Sequence, residues 1–202
     1  MTIPAPTVEK PKGAGPKIGQ SRLGTLLVLA VTAAILMVGA YLVERPKSGI
    51  AKVTLGSSSS PAPKLGKSAQ DFTATTVDGK KVSLSSYKGS PVWLTFGASW
   101  CADCQAEAPD IEAAYQKHKA EGVVVLSVSV NEKDAATVVD YANRAGLTFP
   151  KIWDSGDTIG SAYQVNGIPA HFFIDASGIL RSSKVGLLSP EKMEAALKEI
   201  NR

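Results

Sequence analysis

The chain is 202 residues long, 44% hydrophobic and 20% charged, with a formal net charge of +4, which leaves room for one ordinary domain and an extra segment. Residues 1–66 hold eight bases and two acids, while 67–202 hold fourteen bases and sixteen acids, so +6 lies at the front and −2 on the rest. With the basic excess confined to the front, the domain has no basic face that would argue for nucleic acid.

Met1 to Arg22 contains four prolines, several glycines and the bases Lys10, Lys12, Lys17 and Arg22, without apolar periodicity. Residues 1–22 therefore read as a disordered basic tail. Leu23 to Val43 follows, 21 residues with no charge. At about 1.5 Å per residue, a helix of that length spans a hydrocarbon core of roughly 30 Å, which makes residues 23–43 a transmembrane anchor. A cleaved signal peptide is the competing reading, because Val38-Gly39-Ala40 has the small residues of a cleavage site; the apolar region of such peptides, however, usually runs only about 7 to 15 residues. Four bases before the span, against Arg45, Lys47 and Lys52 after it, favour a cytoplasmic N-terminus and an extracytoplasmic domain. The tail's charge also suits an anionic cytoplasmic leaflet. Glu44 to Lys64 is Ser, Pro, Gly and Lys with the run Ser57 to Pro63, so residues 44–64 read as a flexible tether.

Residues 65–202 alternate strand and helix signals. Asp71 to Thr76 and Lys81 to Ser83 flank Asp78-Gly79, a hairpin turn. Pro91 to Gly97 and Val123 to Val130 are apolar runs of the kind covered on both faces. Between them Ala108, Ile111, Ala114 and Tyr115 recur at helical spacing as far as Gly122, with Pro109 inside the helix, where it should kink it. Asp134 to Arg144 is a helix ended by Gly146, Thr148 to Trp153 a short strand, and Thr158 to Tyr163 a helical turn. Ala170 to Asp175 and Ile179 to Val185 read as an antiparallel pair, and Ser189-Pro190 starts a last helix, Glu191 to Ile200. The pattern is α/β with a mixed sheet.

Both cysteines lie in Trp100-Cys101-Ala102-Asp103-Cys104, where a strand hands over to a helix. With two residues between them at a helix N-terminus, the thiols lie within bonding distance, so the oxidised and reduced forms can both be populated. The free amides and positive end of the helix favour the Cys101 thiolate, making Cys101 the attacking sulfur and Cys104 the resolving one. A bridge closing so short a loop stabilises little, which argues against a purely structural purpose. Glu107, three residues after Cys104, shares its helix face and could exchange a proton with it; a solvated helix carboxylate is the other reading.

Gly66 to Phe72, Asp78-Gly79-Lys80, Leu84-Ser85, Lys88-Gly89, PVWLTFGASWCADC and Gly167 to Asp175 (GIPAHFFID) stand in an order that resembles the TlpA/ResA-like family. These are membrane-anchored, thioredoxin-fold thiol–disulfide oxidoreductases. The resemblance covers about residues 65–200. It implies a thioredoxin-like fold with a mixed central sheet and flanking helices, preceded by one N-terminal transmembrane helix. It also implies that Pro169 is a cis-proline facing the disulfide, that Ile168 and Pro169 with Trp100 contact substrate, that Glu107 serves the buried cysteine, and that Pro109 kinks the active-site helix. No cofactor or resident metal is implied, and the chain is expected to be a monomer. The expected partners are disulfides of exported proteins as substrates, with apocytochrome c or a copper-site protein as clients, and a membrane electron donor of DsbD/CcdA type.

Three positions depart from the family's pattern. Thr95 stands where thioredoxin has a buried Asp, leaving proton handling to Glu107 or water. Asp103 replaces the usual proline before the second cysteine; its charge should disfavour the Cys101 thiolate and make the pair a better reductant. His171 stands two residues after Pro169, where a small polar residue is more usual, either tuning the site or packed as a hydrogen-bonded strand histidine. Trp93 and Trp153 read as core or half-buried aromatics. Two other functions remain open at this point: a Cu(I)-binding metallochaperone using Cys101, Cys104 and His171, and a thiol peroxidase-like antioxidant. His118 is excluded from such a metal set, being about 20 Å further along the helix than Cys104.

Overall fold

The computed structural model describes residues 22–43, 54–55 and 63–202, which divide into two units between Ser48 and Gly49. Of the tail expected over 1–22, residues 1–21 lie outside the described residues, as does most of the expected tether, while Arg22 already belongs to a helix. The first unit contains one helix, α1 (Arg22–Val43), unbroken because the run from Leu23 holds neither proline nor charge. The Thr32 hydroxyl turns back onto the carbonyls of Val28 and Leu29, both at 3.0 Å. Among the described residues no helix is long and apolar enough to cross a membrane.

In the second unit, β1 (Thr54–Leu55), β2 (Phe72–Thr75) and β3 (Lys81–Ser83) form a small antiparallel sheet. The hairpin expected at Asp78-Gly79 is present, with Gly79 at φ 87° where a side chain would be strained. The pairing of Thr54 and Leu55 with Thr73 and Phe72 departs from a tether running continuously over 44–64. A β-branched residue followed by leucine is a good strand former, and the open edge of β2 offers it unpaired backbone groups.

The main sheet has the order β6-β5-β4-β7-β8. Its strands are β4 (Val92–Gly97), β5 (Val124–Ser129), β6 (Lys151–Trp153), β7 (Ala170–Ile174) and β8 (Leu180–Val185). β4, β5 and β6 are parallel, and β4, β7 and β8 antiparallel, so the sheet is mixed as expected. β6 is shorter than the expected Thr148 to Trp153 because Pro150 has no N–H to donate to a ladder. The helices are α2 (Ala102–His118), α3 (Ala135–Arg144), α4 (Thr158–Ala162) and α5 (Pro190–Ile200). α2 runs through Pro109 and ends at His118, followed by a 3-10 turn, Lys119–Glu121. Asp134 caps α3 by accepting from the Thr137 N–H at 2.8 Å. Ser189 holds the N-cap position of α5 without a side-chain capping bond.

Alternation along β4 divides the core. Val92, Leu94 and Phe96 pack with Phe72, Ile152, Ile159 and Tyr163 on one face. Trp93 packs on the other with Ile111 and Ala114 of α2 and Met193, Leu197 and Ile200 of α5, and its ring stacks on Phe173 at 5.1 Å between centroids. The β4–β7 register pairs Trp93 with Phe173 and Thr95 with His171. Thr95 and His171 therefore belong to the face that α2 covers.

Candidate active site

The last residues of β4 deliver the chain into α2, and Cys101 is the N-cap of that helix. Its Sγ accepts from the Cys104 N–H at 3.2 Å, so the sulfur lies against the unpaired amides that favour negative charge there. Cys101 and Cys104 are joined in a disulfide with Cα atoms 5.2 Å apart, and both are nearly buried. The Ile168–Pro169 peptide is cis, and Ile168 packs on the small cluster of Ala98, Cys101 and Cys104. Trp100 is 59% exposed, with its indole N–H donating to the Asn131 carbonyl at 3.2 Å.

Buried residues on α2 recur as Cys104, Glu107, Ala108, Ile111 and Ala114: one helical stripe, with Glu107 in its middle. Glu107 is only 2% exposed. One carboxylate oxygen accepts the Leu188 backbone N–H at 3.1 Å, and the other lies 3.3 Å from Nε2 of the fully buried His171. Glu107 and Cys104 also line a cavity of about 30 Å³ with Thr95, Gly97, Ser129 and Tyr141, large enough for one water. The Tyr141 hydroxyl donates to the Cys104 carbonyl at 3.3 Å. Burial, followed by the nearby charges of Glu107 and Glu132, holds its phenol above the usual tyrosine range. Three larger hollows lie elsewhere, and neither cysteine lines any of them.

Chemically, the arrangement is an electron-pair exchanger: a sulfur at a helix head, a second sulfur one turn behind it, and a buried carboxyl that lines the same small cavity as the second. Comparison with known proteins agrees. The thiol-disulfide oxidoreductase ResA of Bacillus thuringiensis (strain Al Hakam) is 36% identical over 136 residues, covering 67% of this chain and 78% of that protein. The chain belongs to the TlpA/ResA-like thiol–disulfide oxidoreductases. The AhpC/TSA family model matches residues 65–183, and the thioredoxin-like protein YneN of Bacillus subtilis (strain 168) is 34% identical over 134 residues, 65% of this chain and 78% of that one. Among solved structures, a thiol:disulfide interchange protein DsbE from Chlorobium tepidum superposes with a TM-score of 0.65 at 27% identity, over 70% of this chain and 100% of its own.

In this ResA-like oxidoreductase Ile168 packs on Cys101 and Cys104, Glu107 shares a cavity lining with Cys104, and Pro169 follows Ile168 through the cis bond. The copper set does not assemble. His171 Nδ1 is met by the Trp93 indole N–H at 3.3 Å and the Thr95 hydroxyl at 3.1 Å, its Nε2 faces Glu107, and no group of three metal-binding side chains occurs among the described residues. His118 ends α2 in contact with Glu121 and Glu194. Sequence reasoning missed three contributors. Trp93, expected only as core, orients His171; Tyr141 reaches the Cys104 backbone; and Glu132 accepts from both the backbone N–H and the hydroxyl of Ser99, bracing the loop before Trp100. The one sequence signal for this group was the charge of Glu107 within an apolar stripe.

Proposed function

We propose that this chain is a membrane-tethered, extracytoplasmic reductase of disulfides in exported proteins. The observation that carries the reading is the Cys101 sulfur at the head of α2, beside Ile168-Pro169, with the buried Glu107 behind Cys104. The Cys101 thiolate attacks one sulfur of a substrate disulfide, forming a mixed disulfide and releasing the other substrate sulfur as a thiolate. Cys104 then loses its proton through the cavity to the Glu107 carboxylate and attacks Cys101 Sγ. The bond from Cys101 to the substrate breaks and the second substrate thiolate leaves, each thiolate taking a proton from solvent. Two electrons have passed to the substrate, and the Cys101–Cys104 disulfide remains. Trp100, Ile168 and Pro169 form the contact surface for the substrate chain.

The tether and location rest on the uncharged run Leu23 to Val43 and the bases before it. The reducing direction is supported by Asp103, whose charge next to Cys101 favours the disulfide. Reduction in that compartment calls for a membrane electron donor of the DsbD/CcdA type, with apocytochrome c or a copper-site protein as clients.

The deciding experiment is the redox equilibrium of the full chain in detergent against dithiothreitol and glutathione buffers, read by thiol trapping. A midpoint below about −230 mV is expected. One above about −150 mV makes the chain an oxidant or isomerase and overturns the reducing direction.

A further inference from the structure

Buried His171 has no place in the two-cysteine exchange described above, yet its contact with Glu107 is specific. An indole N–H can only donate. Trp93 donates to His171 Nδ1, so Nδ1 carries no proton and the ring hydrogen lies on Nε2. That Nε2–H is buried without a hydrogen-bond partner, and the carboxylate oxygen 3.3 Å away belongs to Glu107. The two atoms are within contact distance but lack hydrogen-bond alignment. A buried donor left open beside the carboxyl that lines the Cys104 cavity is a group whose bond closes when that carboxyl carries charge.

We propose that His171 is a positioning residue for the disulfide exchange: its Nε2–H holds the Glu107 carboxylate ready to take the Cys104 proton, and the Trp93 indole sets the tautomer that makes this possible. The inference rests on the reading of Glu107 as the base for Cys104. Each turnover moves one proton from the Cys104 thiol to Glu107 and no proton to His171, which acts only through its hydrogen bond. Other groups face the pair from each packed element. On α2 they are Cys104, one turn before Glu107, and Asp103 and Asp110, exposed and half-exposed, at four residues before and three after Glu107; Tyr141 is on α3; and Lys184 lies opposite His171 on β8. Glu132 adds its charge to that of Glu107 at Tyr141.

The test uses the full chain in detergent and oxidised glutathione as the probe disulfide. Resolution of the Cys101–glutathione adduct by Cys104 is followed by rapid acid quench and mass across pH. In His171→Asn, the Asn oxygen can still accept from Trp93 but no donor reaches Glu107. The acid limb of the rate profile is expected to move up by about one pH unit, a roughly tenfold slower resolution on that limb. In His171→Gln, whose amide nitrogen reaches the place of Nε2, the limb is expected to return toward wild type. In a Glu107→Gln background, His171→Asn is expected to change nothing further. The inference is overturned if His171→Asn leaves the limb in place, if Asn and Gln behave alike, or if the effect persists without Glu107. Failure of Glu107→Gln itself to alter the limb removes the reading of Glu107 as base, and this inference with it. Silent His171 variants beside an active Glu107→Gln leave that reading standing. Thermal melts of the oxidised variants identify any that do not fold; should His171→Asn be one, His171→Leu, which likewise offers Glu107 no donor, takes its place in the comparison with Gln.

Discussion

Asp103 stands between the cysteines, in the first turn of α2, where a carboxylate stabilises the helix but opposes a thiolate at Cys101. Replacing Asp103 by Asn removes that opposition without changing the shape of the side chain. The reduced form gains, and the midpoint potential is expected to rise by about 10–20 mV. Redox titration by thiol trapping measures it, and a lower potential would contradict the argument. Whether Glu107 is solvated or buried is also a question at this scale. Its spacing from Cys104 puts the two on one face, and the stripe through Ala108, Ile111 and Ala114 makes that face the buried one. Its pairing with His171, some 64 positions later in the chain, has no local signature. It follows from the β4–β7 register and the docking of α2.

At the level of elements, the end of β4 approaches α2 closely. A Cβ added at Gly97 would lie 3.3 Å from Cys104 Sγ, tighter than ordinary packing, so Gly97→Ala pushes on the resolving sulfur and shrinks the cavity it shares with Glu107. Overpacking at such a site is expected to cost about 1–2 kcal/mol and to prolong the mixed disulfide. Urea unfolding and the adduct lifetime check the two effects. At its other end, α2 is fastened to the 3-10 turn and α5: His118 meets Glu121 at 2.9 Å and Glu194 at 3.1 Å, and Lys117 meets Glu194 at 2.8 Å. The Glu121 carboxylate first, then Glu194, raises the imidazole above its usual range. A raised folded value means that the ion pairs contribute fully below the unfolded value of about 6.5 and are lost as pH climbs through the folded one. Stability is therefore expected to fall slightly as pH rises above about 6.5, by less than about 1 kcal/mol because both carboxylates are exposed to solvent. His118→Gln should flatten that slope in denaturant titrations.

For the whole molecule, the uncharged run Leu23 to Val43 makes a prediction about address. Expressed full length in a bacterium, the chain is expected to stay with membranes through alkaline carbonate, and its domain is expected to be digested when protease is added to intact spheroplasts. A soluble product beginning just after Ala40 would make the segment a cleaved signal peptide instead. The long-range organisation of residues 63–202 was legible in outline because it follows periodicity: apolar runs for β4 and β5, a helical stripe for α2, turn residues between β2 and β3 and between β7 and β8. The strand at Thr54 and Leu55 was not legible. Two residues in a polar stretch gain strand structure only by pairing with an edge supplied by β2.

The sequence by itself determined the chemistry and its main actors. Two cysteines at helix-head spacing, the Gly-Ile-Pro segment and the carboxylate one turn beyond Cys104 are local or motif-borne, and local spacing is enough to set their relation to one another. Tertiary structure decided what surrounds them: that the carboxyl is buried, that it shares the lining of a water-sized cavity with Cys104, and that His171 faces it with a tautomer dictated by Trp93. Those facts depend on strand register and helix docking across the sheet. Such contacts between distant segments are set by the packing of the whole core, which no single stretch of sequence contains.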